Sequence, residues 1–247
     1  MGLPDAGKVE LKQQTQAAFE SYLRTTEKRL DQRVAEGNFL WADDSADRER
    51  RLRAGQIVVE PIVNKGDTQV PGGLVHDWIG AVFVPKATLE QTLALVQDVD
   101  KHKSIYHPEV RDSRLLSRSG NDLKVYLRLV KKKIITVVLN TYHDVRYFPV
   151  DGTRCYSRSH STRIAEVENS GEAKERELPP GNDHGFLWRL DSYWFFEERD
   201  GGVYVECEAV SLTRDVPSGL GWLVNPIVRS LPRESLTNTL KSTRDAL

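Results

Sequence analysis

This 247-residue chain predicts an α+β fold: a curved antiparallel sheet wrapped around a long C-terminal helix. Three observations carry that expectation. Residues 110–214 hold six segments rich in aromatic, β-branched or alternating apolar side chains. Most are joined by short turns, which leave no room for parallel crossovers, so the strands form an antiparallel meander. Behind them, Leu220, Leu223, Val224, Ile227, Val228 and Leu231 recur at helical spacing. Such a sheet encloses either a solid core or a ligand cavity.

Residues 8–35 read as a polar helix whose apolar stripe is Leu11, Thr15, Ala18, Phe19, Tyr22, Leu23 and Leu30, with Gly37 at its exit. It either docks on the main body or acts as a spacer. Residues 43–53 (DDSADRERRLR) form a charged connection or short helix. Strands at 57–62 and 75–84 bracket the turn sequence NKGDTQVPGG, and Pro85 stops the second. Leu89, Leu93, Val96 and Val99 mark a buried helical face over 86–98. A short helix over 99–105 breaks at Tyr106-His107-Pro108.

The six strands are 110–118, 123–131, 134–148, 153–168, 186–199 and 203–214, with Asp200-Gly201-Gly202 turning between the last two. Pro217 ends the final strand, Ser218 caps a helix over 218–246, and Pro226 and Pro232 bend or divide that helix. The chain therefore divides into an N-terminal helical extension with its charged connection, 1–54, and a folded body, 55–247.

A formal charge of −1 and a pI near 6.6 provide no general basic field, so nucleic acid is not an expected partner. The composition, 39% apolar and 29% charged, fits a folded domain with a charged surface. No window has the uninterrupted apolar length of a spanning helix, and the first residues lack a signal-peptide core. A cleaved signal would leave no trace, so localisation is not assigned. Cys155 and Cys207 belong to no metal-ligand spacing and read as small buried hydrophobes.

The segment VECEAVSLTRDVPSGLGWLVNPIVRSLPRESLTNTLKSTR resembles the final strand and gripping helix of bacterial START-like proteins. The element order over approximately 75–245 resembles the helix-grip fold of the START and Bet v 1-like (SRPBCC) superfamily. That resemblance implies noncatalytic binding or transport of a lipid, sterol or other apolar small molecule, held between the sheet and the last helix. It implies no cofactor, and it allows transient membrane contact during ligand exchange. Two alternatives stand beside it: a cyclase- or dehydratase-type enzyme acting on a polyketide-like substrate, and a structural or protein-interaction module. In a helix-grip sheet the strand 186–199 separates the strands of Cys155 and Cys207. Next-but-one strands stand roughly 9–10 Å apart, so no disulfide is expected. The oligomeric state is not read from the sequence.

Strand alternation selects the face toward the helix. Over 186–199 it favours Phe186, Trp188, Leu190, Ser192, Trp194 and Phe196. Over 123–131 it favours Leu123, Val125, Leu127 and Leu129, and over 134–148 Ile135, Val137, Leu139, Thr141, His143, Val145 and Tyr147. These are core residues first and a cavity lining second. The expected ligand-binding set is Leu127, Leu139, His143, Tyr147, Arg158, Trp188, Leu190, Trp194, Phe196, Leu223, Ile227 and Leu231.

The strand 153–168 has no strongly apolar face. Its charged residues join Arg189, Asp191, Glu206 and Glu208 in an outer-face ion-pair network, or Arg158 or Arg163 meets an anionic headgroup in a polar end of the pocket. No complete active site emerges and no catalytic residue is assigned. His76-Asp77 and His143-Asp144 are adjacent on strands, so the members of each pair face opposite ways. His102 and His107 flank Tyr106 without a recognisable zinc pattern. In the enzyme alternative, His143, Tyr147 and Tyr193 are the acid/base candidates.

Overall fold

The computed structural model describes residues 7–63, 65–133, 135–216 and 228–247. Its main strands are β2 (Val58–Pro61), β3 (Asp67–Val70), β4 (Gly73–Pro85), β5 (Val110–Ser119), β6 (Asp122–Lys132), β7 (Thr136–Pro149) and β8 (Arg154–Glu168). They continue with β11 (Arg189–Arg199) and β12 (Gly202–Arg214), while β1 (Val9–Glu10), β9 (Arg176–Glu177) and β10 (Asn182–Asp183) are two-residue pairings. The main sheet runs β2-β4-β12-β11-β8-β7-β6-β5, with β3 beside β4 and β9 beside β8. Every pairing is antiparallel.

The turns show why the meander closes so tightly. Arg199 pairs with Gly202, leaving Asp200 and Gly201 as a two-residue loop. Both loop residues have positive φ, 56° and 73°. This is the Asp-Gly hairpin geometry whose twist matches the flanking strands. After β4, helix α3 (Leu89–Gln97) starts from a reciprocal capping box: the Thr88 hydroxyl accepts from Gln91 N–H, and the Gln91 side chain accepts from Thr88 N–H. The short α4 (His102–Ile105) follows.

The C-terminal helix α5 (Leu231–Ala246) carries Pro232 in its first turn, where no intrahelical N–H is needed. The expected cap Ser218 and stripe positions Leu220, Leu223, Val224 and Ile227 lie outside the described residues. Leu236 and Leu240 pack with Val82, Val84, Phe196, Val205 and Cys207 across the inner face of the sheet. Gly80 permits this approach: a Cβ there would meet Leu240 Cδ1 at 2.8 Å and the Val58 carbonyl at 3.0 Å.

The opposite face is also covered. Helix α1 (Gln13–Glu36) ends at Gly37, whose φ of 81° favours glycine. It runs into a 3-10 turn at Trp41–Asp44 and then α2 (Ala46–Arg53). Phe19, Leu30, Phe39, Leu40, Trp41 and Leu52 from this segment pack on Val75, Ile79, Tyr193, Phe195, Val210 and Leu212. Of the two readings of the polar helix, docking is the one observed.

Beneath α1, three acidic side chains of the outer face are buried: Asp77, Glu206 and Glu208. Arg33 pairs with Glu206 at 2.9 Å, Arg29 pairs with Glu208, and the Tyr22 hydroxyl donates to Asp77 at 2.8 Å. Burial raises both Asp77 and Glu208, and their proximity pushes Glu208 further. This is the expected outer-face network, but the cations on Glu206 and Glu208 come from α1, while Asp191 lies 3.1 Å from His160 of β8. Arg189 instead donates to the Trp188 carbonyl at 2.9 Å.

A β-bulge explains the odd pattern of β8. Tyr142 opposes Arg163 and His143 opposes Ser161, so the pairing register steps over Thr162. Past the bulge the parity of the strand changes. Ile164 joins the inner apolar cluster, while Arg163 pairs with Glu177. Cys155 and Cys207 are both buried and free, on strands separated by β11.

Candidate functional site

Between the inner face of the sheet and α5 lies a cavity of about 550 Å³. Its wall follows from strand parity. Leu123, Val125, Leu127 and Leu129 project from β6, and Val137, Leu139, His143, Val145 and Tyr147 from β7. On β11 the lining residues are Leu190, Ser192, Trp194 and Phe196, and α5 contributes Leu231 and Leu236. Thus Leu127, Leu139, His143, Tyr147, Leu190, Trp194, Phe196 and Leu231 meet around one space. Leu223 and Ile227 fall outside the described residues.

Two expected members are corrected. Trp188 sits in the apolar cluster under α1, and its indole N–H donates to Asp183 at 2.9 Å. It precedes β11, which starts at Arg189, so the alternation of that strand does not extend to it. Phe186 and Leu187 both line the cavity instead, a further sign that this stretch does not alternate. Arg158 points to the outer face, where it pairs with Asp31 of α1 and lies over the Phe148 and Tyr156 rings. Its neighbours Ser157 and Ser159 face the cavity, and adjacent strand residues point oppositely. Arg163 is likewise committed to Glu177, so neither arginine reaches the pocket.

Sequence reading missed the far end of the site. Val96 and Val99 line the cavity, as do Tyr106, His107, Pro108 and Glu109 after α4. Lys131 also lines it, donating to Ser235 Oγ at 2.7 Å and pairing with Glu109. Asn238 donates to Glu109 at 2.6 Å, so Glu109 and Lys131 tie α5 to the sheet edge. Burial lowers the Lys131 ammonium despite Glu109. Parity on β12 was the available signal for its inner row, Cys207, Ala209, Ser211 and Thr213. None of the loop residues 65–74 lines the cavity.

The polar side chains do not converge as an acid/base set. The Thr141 hydroxyl donates to the Leu127 carbonyl at 3.2 Å, so at 3.0 Å it accepts from His143 Nε2–H. His143 Nδ1 is left as the acceptor of the ring, buried and without a partner among the described residues. Burial pushes this imidazole down to about 4. The Tyr147 hydroxyl donates to the Val96 carbonyl at 3.4 Å. Four residues of strand separate His143 from Tyr147, roughly 13 Å at the usual rise. Tyr193 is on the outer face, donating to Glu27 at 3.1 Å. His76 contacts Thr213 Oγ1 at 2.9 Å, while Asp77 faces α1. Among the described residues, no three His, Cys, Asp or Glu side chains cluster for a metal, and no helix is long and apolar enough to cross a membrane.

The His143 environment makes a signed prediction. A histidine with an ordinary unfolded value near 6.5 and a depressed folded value stabilises the fold above the unfolded value. That contribution is lost as pH falls from about 6.5 to about 4, and amounts to ~3 kcal/mol. His143→Gln should therefore lose less stability than the parent between pH 7 and pH 4, measured by urea midpoints. Parallel pH profiles would mean that His143 titrates normally.

An antiparallel sheet curved over a C-terminal helix, with a cavity between them, is an α+β helix-grip arrangement. No sequence family and no curated protein matches the chain. Solved structures similar in fold include a STAR-related lipid transfer protein fragment from Xanthomonas axonopodis, at 18% identity and TM-score 0.49. That match covers 73% of this chain and 98% of the other. A START superfamily protein from Mycobacterium smegmatis matches at 14% identity and TM-score 0.45, covering 69% and 96%. The Zhui aromatase/cyclase from Streptomyces sp. R1128 matches at 13% and 0.43, covering 70% and 93%. These are likenesses of fold.

Proposed function

We propose that this chain binds an apolar small molecule, lipid or sterol in the cavity between sheet and α5, and carries it without chemical change. The observation behind this reading is the cavity itself: about 550 Å³, walled mainly by apolar side chains of β6, β7 and β11. Pockets of roughly 300–1,000 Å³ with apolar walls and a few polar groups suit drug-sized ligands. In this reading residues 55–247 hold the ligand and the preceding segment braces the sheet from outside. Exchange proceeds by release of α5 from Glu109 and Lys131, with transient contact at a membrane surface as the donor or acceptor of the ligand.

Trp194→Ala tests the proposal. Trp194 is half-buried, stacked on Phe196 with ring centroids 6.0 Å apart, and faces the cavity. A tryptophan in a solid core would cost ~3–5 kcal/mol on truncation. Here the stability loss should be smaller, while retention of a co-purified apolar molecule, read by native mass spectrometry, should fall at least about tenfold. A full core-sized loss with no ligand in either protein would favour the structural alternative. Unchanged retention by the variant would remove Trp194 from the site.

A further inference from the structure

Three serines of the cavity wall form one short row. β8 and β11 set Ser159 directly opposite Ser192, and Ser157 follows two residues along the same face of β8. Directly opposed side chains have Cβ atoms about 4.5–5.5 Å apart, and diagonal neighbours about 7–8 Å. Across β7, Val145 is the direct neighbour of Ser159 and His143 the diagonal one. The next serine of β8, Ser161, already accepts from Leu190 N–H at 2.9 Å. The hydroxyls of Ser157, Ser159 and Ser192 have no side-chain partner among the described residues. Hydroxyls facing an apolar space are unfavourable unless something completes their hydrogen bonds.

The charge around this row is equally informative. The lysines on the cavity wall, Lys131 and Lys241, are held by Glu109 and Asp245 at the α5 side. Arg158 and Arg163 are engaged on the outer face. His143 offers a neutral acceptor, with its single N–H given to Thr141. A carboxylate or phosphate at the serine row would be desolvated without a counter-charge. A serine hydroxyl both donates and accepts, so it can complete either an alcohol or a carbonyl oxygen.

We propose that the cavity selects a neutral alcohol or ketone, whose oxygen seats between Ser159 and Ser192 while its apolar body lies along Val145, Leu190 and Trp194. This assignment rests on the cavity-binding reading above and narrows it to a ligand class, against the anionic headgroup that the arginines of β8 had suggested.

Competition against Nile red, a neutral apolar dye, tests both levels with the full chain. The competitors are 1-dodecanol, 2-dodecanone and dodecanoate at pH 8, each below its aggregation limit. The alcohol and the ketone should displace the dye about tenfold more tightly than the carboxylate, whose charge would be buried without a counter-charge. A Ser159→Ala/Ser192→Ala variant should lose about tenfold for alcohol and ketone, each constant being corrected for the variant's own dye affinity. Dodecanoate binding as tightly as the alcohol in the parent would overturn the assignment and leave cavity binding standing. So would a folded double variant that binds the alcohol like the parent, the result expected if the serines hold only water. The rank order in the parent decides the point if the variant does not fold. No dye binding and no displacement by any probe would overturn the cavity-binding reading, and this assignment with it.

Discussion

Replacing Arg33 by methionine should destabilise the protein by about 3–5 kcal/mol, the usual range for removing one partner of a buried ion pair. Arg33 is 13% exposed and Glu206 is 1% exposed, so water cannot take over from the guanidinium. Glu206 also accepts from Trp41 N–H at 3.1 Å and Ala42 N–H at 3.2 Å, and Arg33 donates to the Phe39 carbonyl at 3.0 Å. One carboxylate thus joins α1, the 3-10 turn and β12. Burial raises the Glu206 carboxyl even with Arg33 present, so the intact pair need not stabilise the fold strongly. The large effect comes from leaving the charge alone. Glu206→Gln removes that charge, and the double variant should be more stable than additivity predicts by about 1–3 kcal/mol. Urea midpoints for the four proteins give the cycle. An Arg33→Met midpoint equal to the parent would mean that α1 is not held by this pair.

Leu240→Asp should be more severe still, with a loss above ~4 kcal/mol or no cooperative folding. Leu240 is fully buried against Val82, Val84 and Cys207, seated over Gly80. A carboxylate there gains no donor and separates α5 from the sheet. Leu240→Ala supplies the comparison, because it leaves a void without adding charge and should lose ~2–5 kcal/mol. Similar losses for Ala and Asp would show that the helix swings out to hydrate the acid. Parent-like midpoints for both would place Leu240 in solvent and remove α5 from the inner face.

These two sites differ in how far they were legible beforehand. Strand alternation is a local property of the backbone, so the sequence by itself determined the inward rows of β6 and β7 and of Leu190, Ser192, Trp194 and Phe196 on β11. It also determined the antiparallel order, through turns such as Asp200-Gly201 that cannot bridge parallel strands. Glu206 and Glu208 were recognisable as one charged face for the same reason.

Only the tertiary structure decided where alternation stops and what covers each face. Trp188 lies before the first ladder pair of β11, and the bulge at Thr162 reverses the parity of β8, so two-residue spacing misassigned the first and obscured the second. Arg158 acquires its partner Asp31 from a helix more than a hundred residues away in the chain. The same remoteness hid Arg33 from Glu206 and Glu109 from α5. A strand's own residues specify which side chains share a face. Whether that face meets a helix, a cavity or a counter-charge depends on segments whose position no local period encodes.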